Sequence, residues 1–347
     1  MVKVGLALVV TSVPGRLRAQ TWQELFGPPP DPNASWSKHF RLGALVGFNF
    51  KGKFSITGPT AGSGNNPGGE GSGQNHTYDD GYVKIDATGN DDGLTWNWGY
   101  QSSDQIVGNE LEFHSVQSYS TSGGGSADSG AEVGIDLAYG GRITQIWGGT
   151  LGWEFGFGWM PIEIKNNLSG FANVTRLVHT YQTGGIILPE DPYQGSFNGP
   201  GPTISDYAAE SFENLDATIS GSQTLDVNLY NFRLGPTFQW ELHPRFAVMV
   251  SAGAAFGIVG GGLKYNETLT FAEGAPAINT GKVSDTEFVY GGYISGTFLF
   301  HAVQNGDVYL GFQYMPMSSA TFSGDGREGE LDLKGGLYIT AGINWPF

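Results

Sequence analysis

No stretch constrains this chain more than Leu331 to Phe347. Read backwards in twos, it gives Phe347, Trp345, Ile343, Ala341, Ile339 and Leu337. The intervening positions are Pro346, Asn344, Gly342, Thr340, Tyr338, Gly336 and Lys334. One face is wholly apolar and ends in aromatics, while the other is polar, small or tyrosine. Period two over this length belongs to a β-strand whose faces meet different media.

The same period recurs along the chain. Phe40 to Phe54 sets Phe40, Leu42, Ala44, Val46, Phe48 and Phe50 against Arg41, Asn49 and Lys51. Ala131 to Gly140 and Leu151 to Trp159 alternate large apolar residues with glycines and acids. Gly81–Tyr100 reads as a broken strand and Val107–Ser118 as a weaker one. In Leu225–Trp240 the apolar parity changes near Leu229–Tyr230, which predicts a one-residue bulge. Phe246–Leu263 carries no charge and a Gly253–Gly257 spacing that also suits a membrane helix. Its five glycines and its own alternation favour a strand, because a lone helix would leave a sheet open in lipid. Phe288–His301 and Val308–Tyr314 follow, the second after an Asn305-Gly306 hairpin signal.

These patterns predict ten strands. Long links near 55–80, 119–129, 165–222, 264–285 and 319–330 alternate with short ones near 101–106, 144–149, 241–244 and 303–307. Long-short alternation with an even strand number is the layout of an antiparallel up-and-down transmembrane β-barrel. A soluble sandwich has no reason to sort its loops so. Merging 81–100 and 107–118 into one outer loop gives eight strands. Counting the 172–182 and 212–222 extensions as a hairpin gives twelve.

Composition narrows the classes further. Glycine fills 56 of 347 positions, aromatics make up 13% and charged residues only 14%; this is unlike a helical or α/β enzyme. With no cysteine, disulfides and thiolate chemistry are excluded. The net charge is −16, and without a basic stripe the chain repels nucleic acid. Residues 1–19 read as a signal peptide, with Lys3, an apolar Val4–Val10 core and Ala19 at the cleavage position. Residues 20–38, with Gly27 and a proline-rich run to Pro32, read as a stiff leader. Residues 39–347 are the single barrel domain.

The ending Thr340, Gly342, Trp345, Phe347 resembles the C-terminal assembly signal of Gram-negative outer-membrane β-barrel proteins. That pattern is a polar residue, glycine two on, then alternate hydrophobics closing on an aromatic. The resemblance covers about ten residues. It implies an outer-membrane location with both termini periplasmic, and contact with lipid, lipopolysaccharide and the barrel assembly machinery.

No catalytic motif, cofactor-binding pattern or metal-ligand spacing stands out. Gly324 to Gly329 matches a dinucleotide GxGxxG by spacing but precedes a strand, so that reading fails. The acid pairs Asp79-Asp80 and Asp91-Asp92 suit solvated turns, with divalent cations as the sharper alternative. Some barrels of this class are surface proteases, for which Asp79, Asp80 and His76 are the first candidates here. The expected lumen charges are Arg41, Lys51, Glu110, Glu112, Glu132, Asp136, Arg142, Glu154 and Arg233. Both signs are present, and a barrel near this size is nearly filled by side chains. Paired charges then leave a narrow pore at best. A structural or surface-binding role is therefore expected, with a passive channel for small solutes as the alternative and a surface-loop hydrolase behind it.

Overall fold

The computed structural model describes residues 37–56, 60–61, 67–69, 71–121, 124–303 and 306–347. The expected signal peptide, nearly all of the expected leader and Gln304-Asn305 of the Asn-Gly turn lie outside these residues. The fold is all-β, and among the described residues no helix is long and apolar enough to cross a membrane. The Phe246–Leu263 run is strand.

Thirteen strands carry the architecture. They are β1 (Lys38–Phe48), β2 (Lys51–Ile56), β3 (Glu110–Thr121), β4 (Gly124–Asp128), β5 (Glu132–Ile146), β6 (Gly149–Gln182) and β7 (Ala209–His243). Then come β8 (Phe246–Thr270), β9 (Ala277–Val303), β10 (Gly306–Tyr314), β11 (Ala320–Gly324), β12 (Arg327–Asp332) and β13 (Leu337–Pro346). Eight of them pair antiparallel in the succession β1, β5, β6, β7, β8, β9, β10, β13, and β13 pairs back with β1. Ser37 and Lys38 N–H groups donate to the Phe347 carbonyl, so the last strand lies against the first described residues.

Ten strands were expected in this succession, and two of the ten are elsewhere. Gly81–Val83 and Trp98–Tyr100 pair with each other in a small separate sheet. Of the long strands, β3 pairs with the far reach of β6, Ala172–Gln182, and otherwise with the short segments Thr60–Ala61 and Ile106–Val107. The aromatics at the end of the expected Gly81–Tyr100 strand form the interior of a small cap: Trp98 and Tyr100 are buried beside Phe113 and Tyr181.

Along β7 the buried positions are odd-numbered from Gln223 to Gln239, apart from half-buried Gly235. Its register with β6 is unbroken from Thr150↔Gln239 to Thr180↔Ala209. The predicted bulge at Leu229–Tyr230 is therefore absent. What changes there is the surroundings. Toward Trp240, the buried side chains are Asn231, Arg233, Thr237 and Gln239, and the outward ones are Phe232, Leu234, Phe238 and Trp240. Toward Gln223, the buried ones are Leu225, Val227 and Leu229, and the outward ones are Asp226 and Asn228. Each side exchanges polarity at one level, and the apolar parity flips without any change in the backbone.

The neighbours switch at the same level. Trp159, Tyr230, Ile258 and Phe288 are successive register partners on β6, β7, β8 and β9. Six residues beyond them on the outward face stand Lys165, Thr224, Lys264 and Lys282. On the near side a belt of outward Phe155, Leu234, Phe256, Phe298, Phe312 and Ile343 is exposed. Beyond the belt, β6 to β9 continue as a tall sheet, so the "loops" expected at 165–222 and 264–285 are mostly strand. Apart from Phe171, Phe212 and Ile278, their outward residues are mostly Ser, Thr, Asn and charged, which hides them from a search for apolar runs.

The other four strands of the ring turn inward past the belt. β1 breaks at Asn49, whose φ of 65° is left-handed, and the chain emerges with its parity reversed. Phe50 and Phe54 are then buried while Lys51 and Lys53 are exposed. Leu331 and Leu333 are likewise buried, so the long terminal strand is two: β12, then β13 after a turn in which Gly336 N–H bonds Leu333 C=O. β4, β2, β12 and β11 form a separate sheet in that order, and it packs its inner face on the tall sheet.

Candidate functional site

The interior has a polar layer at belt level and an apolar layer beyond it. In the polar layer, Arg41 Nη2 holds both Glu154 carboxylate oxygens at 2.5 Å, and His39 Nε2 meets the same carboxylate at 3.2 Å. Arg41 also donates to Thr297 Oγ1 at 3.3 Å and lies 5.2 Å from the Tyr309 ring centre. Arg233 donates to Asp136 at 2.6 Å and to Asn231 Oδ1 at 3.3 Å. All four charged groups are buried to within 4% of full cover. Two guanidinium groups face two carboxylates, so the layer is formally balanced. Burial this deep requires such pairing, since an isolated charge in low dielectric costs several kcal/mol. At the near rim, Asp307 accepts from Asn344 Nδ2 at 2.6 Å, and His301 bridges Asp307 and Glu241.

The glycines of β6 make room for this layer. A Cβ on Gly156 would stand 2.6 Å from the Arg233 guanidinium, and one on Gly158 would stand 2.5 Å from the Asn231 amide. This explains the Trp153, Phe155, Phe157, Trp159 alternation with glycine: bulk outside, none inside.

The apolar layer fills the space under the inward-turned sheet. Phe50, Phe54, Phe322 and Leu331 of that sheet meet Met160, Ile162, Leu225, Val227, Val259 and Leu263 of the tall one. Each fully buried side chain of this kind contributes roughly 1.5–3 kcal/mol, so a water path through the layer would cost many such terms. A second polar knot lies above it. Arg327, at the β11–β12 hairpin, donates to Glu267 at 2.7 Å, stacks on Tyr265 with its carbon 3.7 Å from the ring centre, and meets the Tyr119 hydroxyl. Burial and the Glu267 carboxylate hold the Tyr119 phenol above its usual range. Arg327 therefore ties the inward-turned sheet to β3 and β8.

The acid pair Asp79-Asp80 clamps β3. Val116 N–H donates to Asp79 at 2.7 Å, and Asp80 takes the His114 backbone N–H at 2.9 Å and its Nδ1 at 2.6 Å. His76 is not beside those carboxylates in any of these bonds. It is fully buried, with Nδ1 on the Pro67 carbonyl, packed edge-on to His179 with ring centres 5.6 Å apart. Tyr78 bonds both His179 and Tyr181. Asp91 and Asp92 are exposed on a short turn. Among the described residues no group of three or more His, Asp or Glu is placed to hold a metal ion.

Of the nine lumen charges predicted, Arg41, Asp136, Glu154 and Arg233 come together. Lys51 is exposed because Asn49 reverses the strand's parity. Arg142 has inner parity but sits past the mouth, where its N–H meets Ser37 C=O and the inner side is open to water. Glu110 and Glu112 belong to β3, outside the ring, and Glu132 is half-buried at the far end of β5. Of the ending residues, Thr340 is buried, while Trp345 and Phe347 face outward at 40% and 60% exposure. Gly342 sits so close to β1 that a Cβ would be 2.1 Å from Leu42 C=O. Glu267 and Arg327 were missed, although the alternation of Leu263, Tyr265 and Leu269 runs through Glu267.

No protein-family model matches the chain, and no curated protein matches it. Among solved structures, the outer membrane protein OprG from Pseudomonas aeruginosa is similar over 90% of this chain and 96% of its own, at 8% identity and a TM-score of 0.35. The outer membrane protease OmpT from Escherichia coli is similar over 91% and 99%, at 10% identity and 0.32. Ail, the attachment invasion locus protein of Yersinia pestis, is similar over 89% and 99%, at 9% identity and 0.26. The fold is defined by the strand pairings themselves.

Proposed function

We propose that the chain is an eight-stranded transmembrane β-barrel of the bacterial outer membrane that displays a tall, capped β-structure at the cell surface, in a structural or surface-binding role. The observation that carries this reading is the exchange of polarity on both faces of β7 at Tyr230. An apolar outward face over a polar inner one suits lipid outside, and the reverse suits water outside an ordinary core.

Closure is supported by the register. A row of partners from Trp159 runs through Ile135, Ala44, Ala341, Leu310, Phe298, Val248 and Trp240, every one apolar and outward-facing. It returns to β6 one step past Thr150↔Gln239, at Gly149, ten residues below its start. For eight strands that stagger corresponds to a tilt of about 40°. The ten residues between Tyr230 and Trp240 then span about 33 Å along the strand and about 25 Å of membrane depth, the height of a lipid belt. Beyond Trp159, β6 continues to Gln182, about 75 Å along the strand.

The apolar layer speaks against the channel alternative, because solutes would have to displace it. In planar bilayers, refolded protein is expected to show no stable current steps. Reproducible steps abolished by closing the polar layer would favour the channel. The barrel itself is tested by a heat-dependent gel shift and a β-rich circular dichroism spectrum in detergent. A helical spectrum, or full solubility without detergent, would sink it. Cysteine placed at Ser220 should react with an impermeant maleimide on whole cells; protection there would invert the proposed orientation.

A further inference from the structure

Beyond the belt, β3, β6 and β7 lie side by side through Ser120↔Asn173↔Asp216 and Ser118↔Thr175↔Asn214. These six side chains line an open groove of about 270 Å³. Thr175 Oγ1 donates to Asn214 Oδ1 at 2.8 Å, which fixes two of the polar groups. Among the described residues of the lining Asp216 is the one carboxylate, and no Lys or Arg contributes. The nearest cation along β6, Arg176, is already paired with Glu213 at 2.5 Å and stacked on Phe271.

Two aromatic rings flank the groove on the same outward face. Phe171 is 79% exposed, two residues before Asn173, and Phe212 is 61% exposed, two residues before Asn214. Their rows are Phe171↔Thr218 and Leu177↔Phe212, about 20 Å apart along the strands. One exposed phenylalanine is ordinary. Two at opposite ends of a groove of hydroxyl, amide and carboxylate groups make a combination with a chemistry of its own. A sugar ring offers apolar C–H faces to an aromatic ring, and its edge hydroxyls both donate and accept. Ser, Thr and Asn answer both roles, and a carboxylate accepts from paired hydroxyls. An anionic ligand would meet Asp216 with no free cation to offset it, in a chain of net charge −16.

We propose that this groove binds a short neutral oligosaccharide, with Phe171 and Phe212 as stacking platforms and Asn173, Asn214 and Asp216 as hydrogen-bonding groups. The inference rests on the surface-binding reading and gives it a ligand class. Its test uses the full chain refolded in a detergent with no sugar headgroup. Saturation-transfer NMR and calorimetry are run with gluco-, galacto- and manno-configured neutral pentasaccharides, long enough to reach both rings, and one sialylated pentasaccharide. At least one neutral sugar should bind, the sialylated one more weakly. Phe171→Ala and Asn173→Ala should each weaken binding about tenfold, while Phe288→Ala, equally exposed in the belt, should leave it unchanged. Absence of binding by all three neutral sugars, preference for the sialylated one, or indifference to Phe171→Ala overturns the proposal. Every variant is checked for the heat-dependent gel shift. Failure with that shift intact removes the groove and leaves the barrel; loss of the shift in the unmodified chain removes both.

Discussion

The two halves of β7 have the same backbone and the same alternation, yet they obey opposite rules. From Tyr230 to Trp240 the large apolar residues point outward and the interior carries Arg233 and Asn231; from Gln223 to Leu229 the apolar residues point inward and Asp226 and Asn228 point out. A pleated strand supplies only two sides. Which one is apolar depends on what surrounds it, so an apolar parity flip marks either a bulge or a boundary between media. Here the unbroken β6–β7 register excludes a bulge, which leaves the proposed boundary.

The comparison is broken most severely by removing a partner from the polar half. Glu154→Leu leaves Arg41 buried with its main acid gone, which costs about 3–5 kcal/mol. Urea unfolding in detergent should show the loss, and Val248→Ala on the outward side should show far less. Next in size, one substitution made on both sides of Tyr230 should give unequal results. Leu234→Arg places a charge in the belt, at about 2–4 kcal/mol. Asn228→Arg, six residues away on the same face, should stay within about 0.5 kcal/mol. Equal costs at the two positions would overturn the proposed lipid boundary. A smaller effect is expected from Gly156→Ala, whose methyl group presses on Arg233; overpacking of this kind costs about 1–3 kcal/mol.

The same boundary explains how much of the molecule was legible in the sequence. Inside the belt, outward Phe, Trp and Leu against inner Gly and charge made each strand visible, and four of the nine candidate lumen charges meet as Arg41–Glu154 and Arg233–Asp136. Beyond the belt the apolar residues are mostly interior, as in Ile162, Ile164 and Leu168, and serine, threonine, asparagine and charged residues fill most of the other face. That pattern resembles loop, which is why β6 to β9 seemed to end early. Trp98 and Tyr100 misled for the opposite reason: their alternation serves a small capped core. Lys51 was misplaced because one left-handed residue, Asn49, reverses parity and leaves no mark in an alternation count. The Arg327–Glu267 knot joins residues sixty positions apart in two segments read as loops, so nothing local could pair them.

The smallest expected effect concerns the cap, where a single carboxylate organises a turn far from either half of β7. Asp86 accepts from Thr88 N–H at 2.9 Å, Thr88 Oγ1 at 2.6 Å, Trp96 N–H at 3.2 Å and Asn90 N–H at 3.4 Å. Burial pushes its pKa up, but these donors outweigh burial and hold it below the usual carboxylate range. A folded-state pKa below the unfolded one means the ionised form stabilises the fold. That stabilisation is complete above the unfolded value, near 3.9, and is lost as pH falls through the folded one. Hydrogen exchange at Thr88, Asn90 and Trp96 should therefore show protection that declines below about pH 4 once the intrinsic pH dependence is removed. Asp86→Asn should lower protection at neutral pH by about 1–2 kcal/mol and abolish the acid-dependent decline. A decline that survives in Asp86→Asn would assign it to another group. Belt-level amides of β7 should be indifferent to both changes, since no part of the Asp86 turn reaches them.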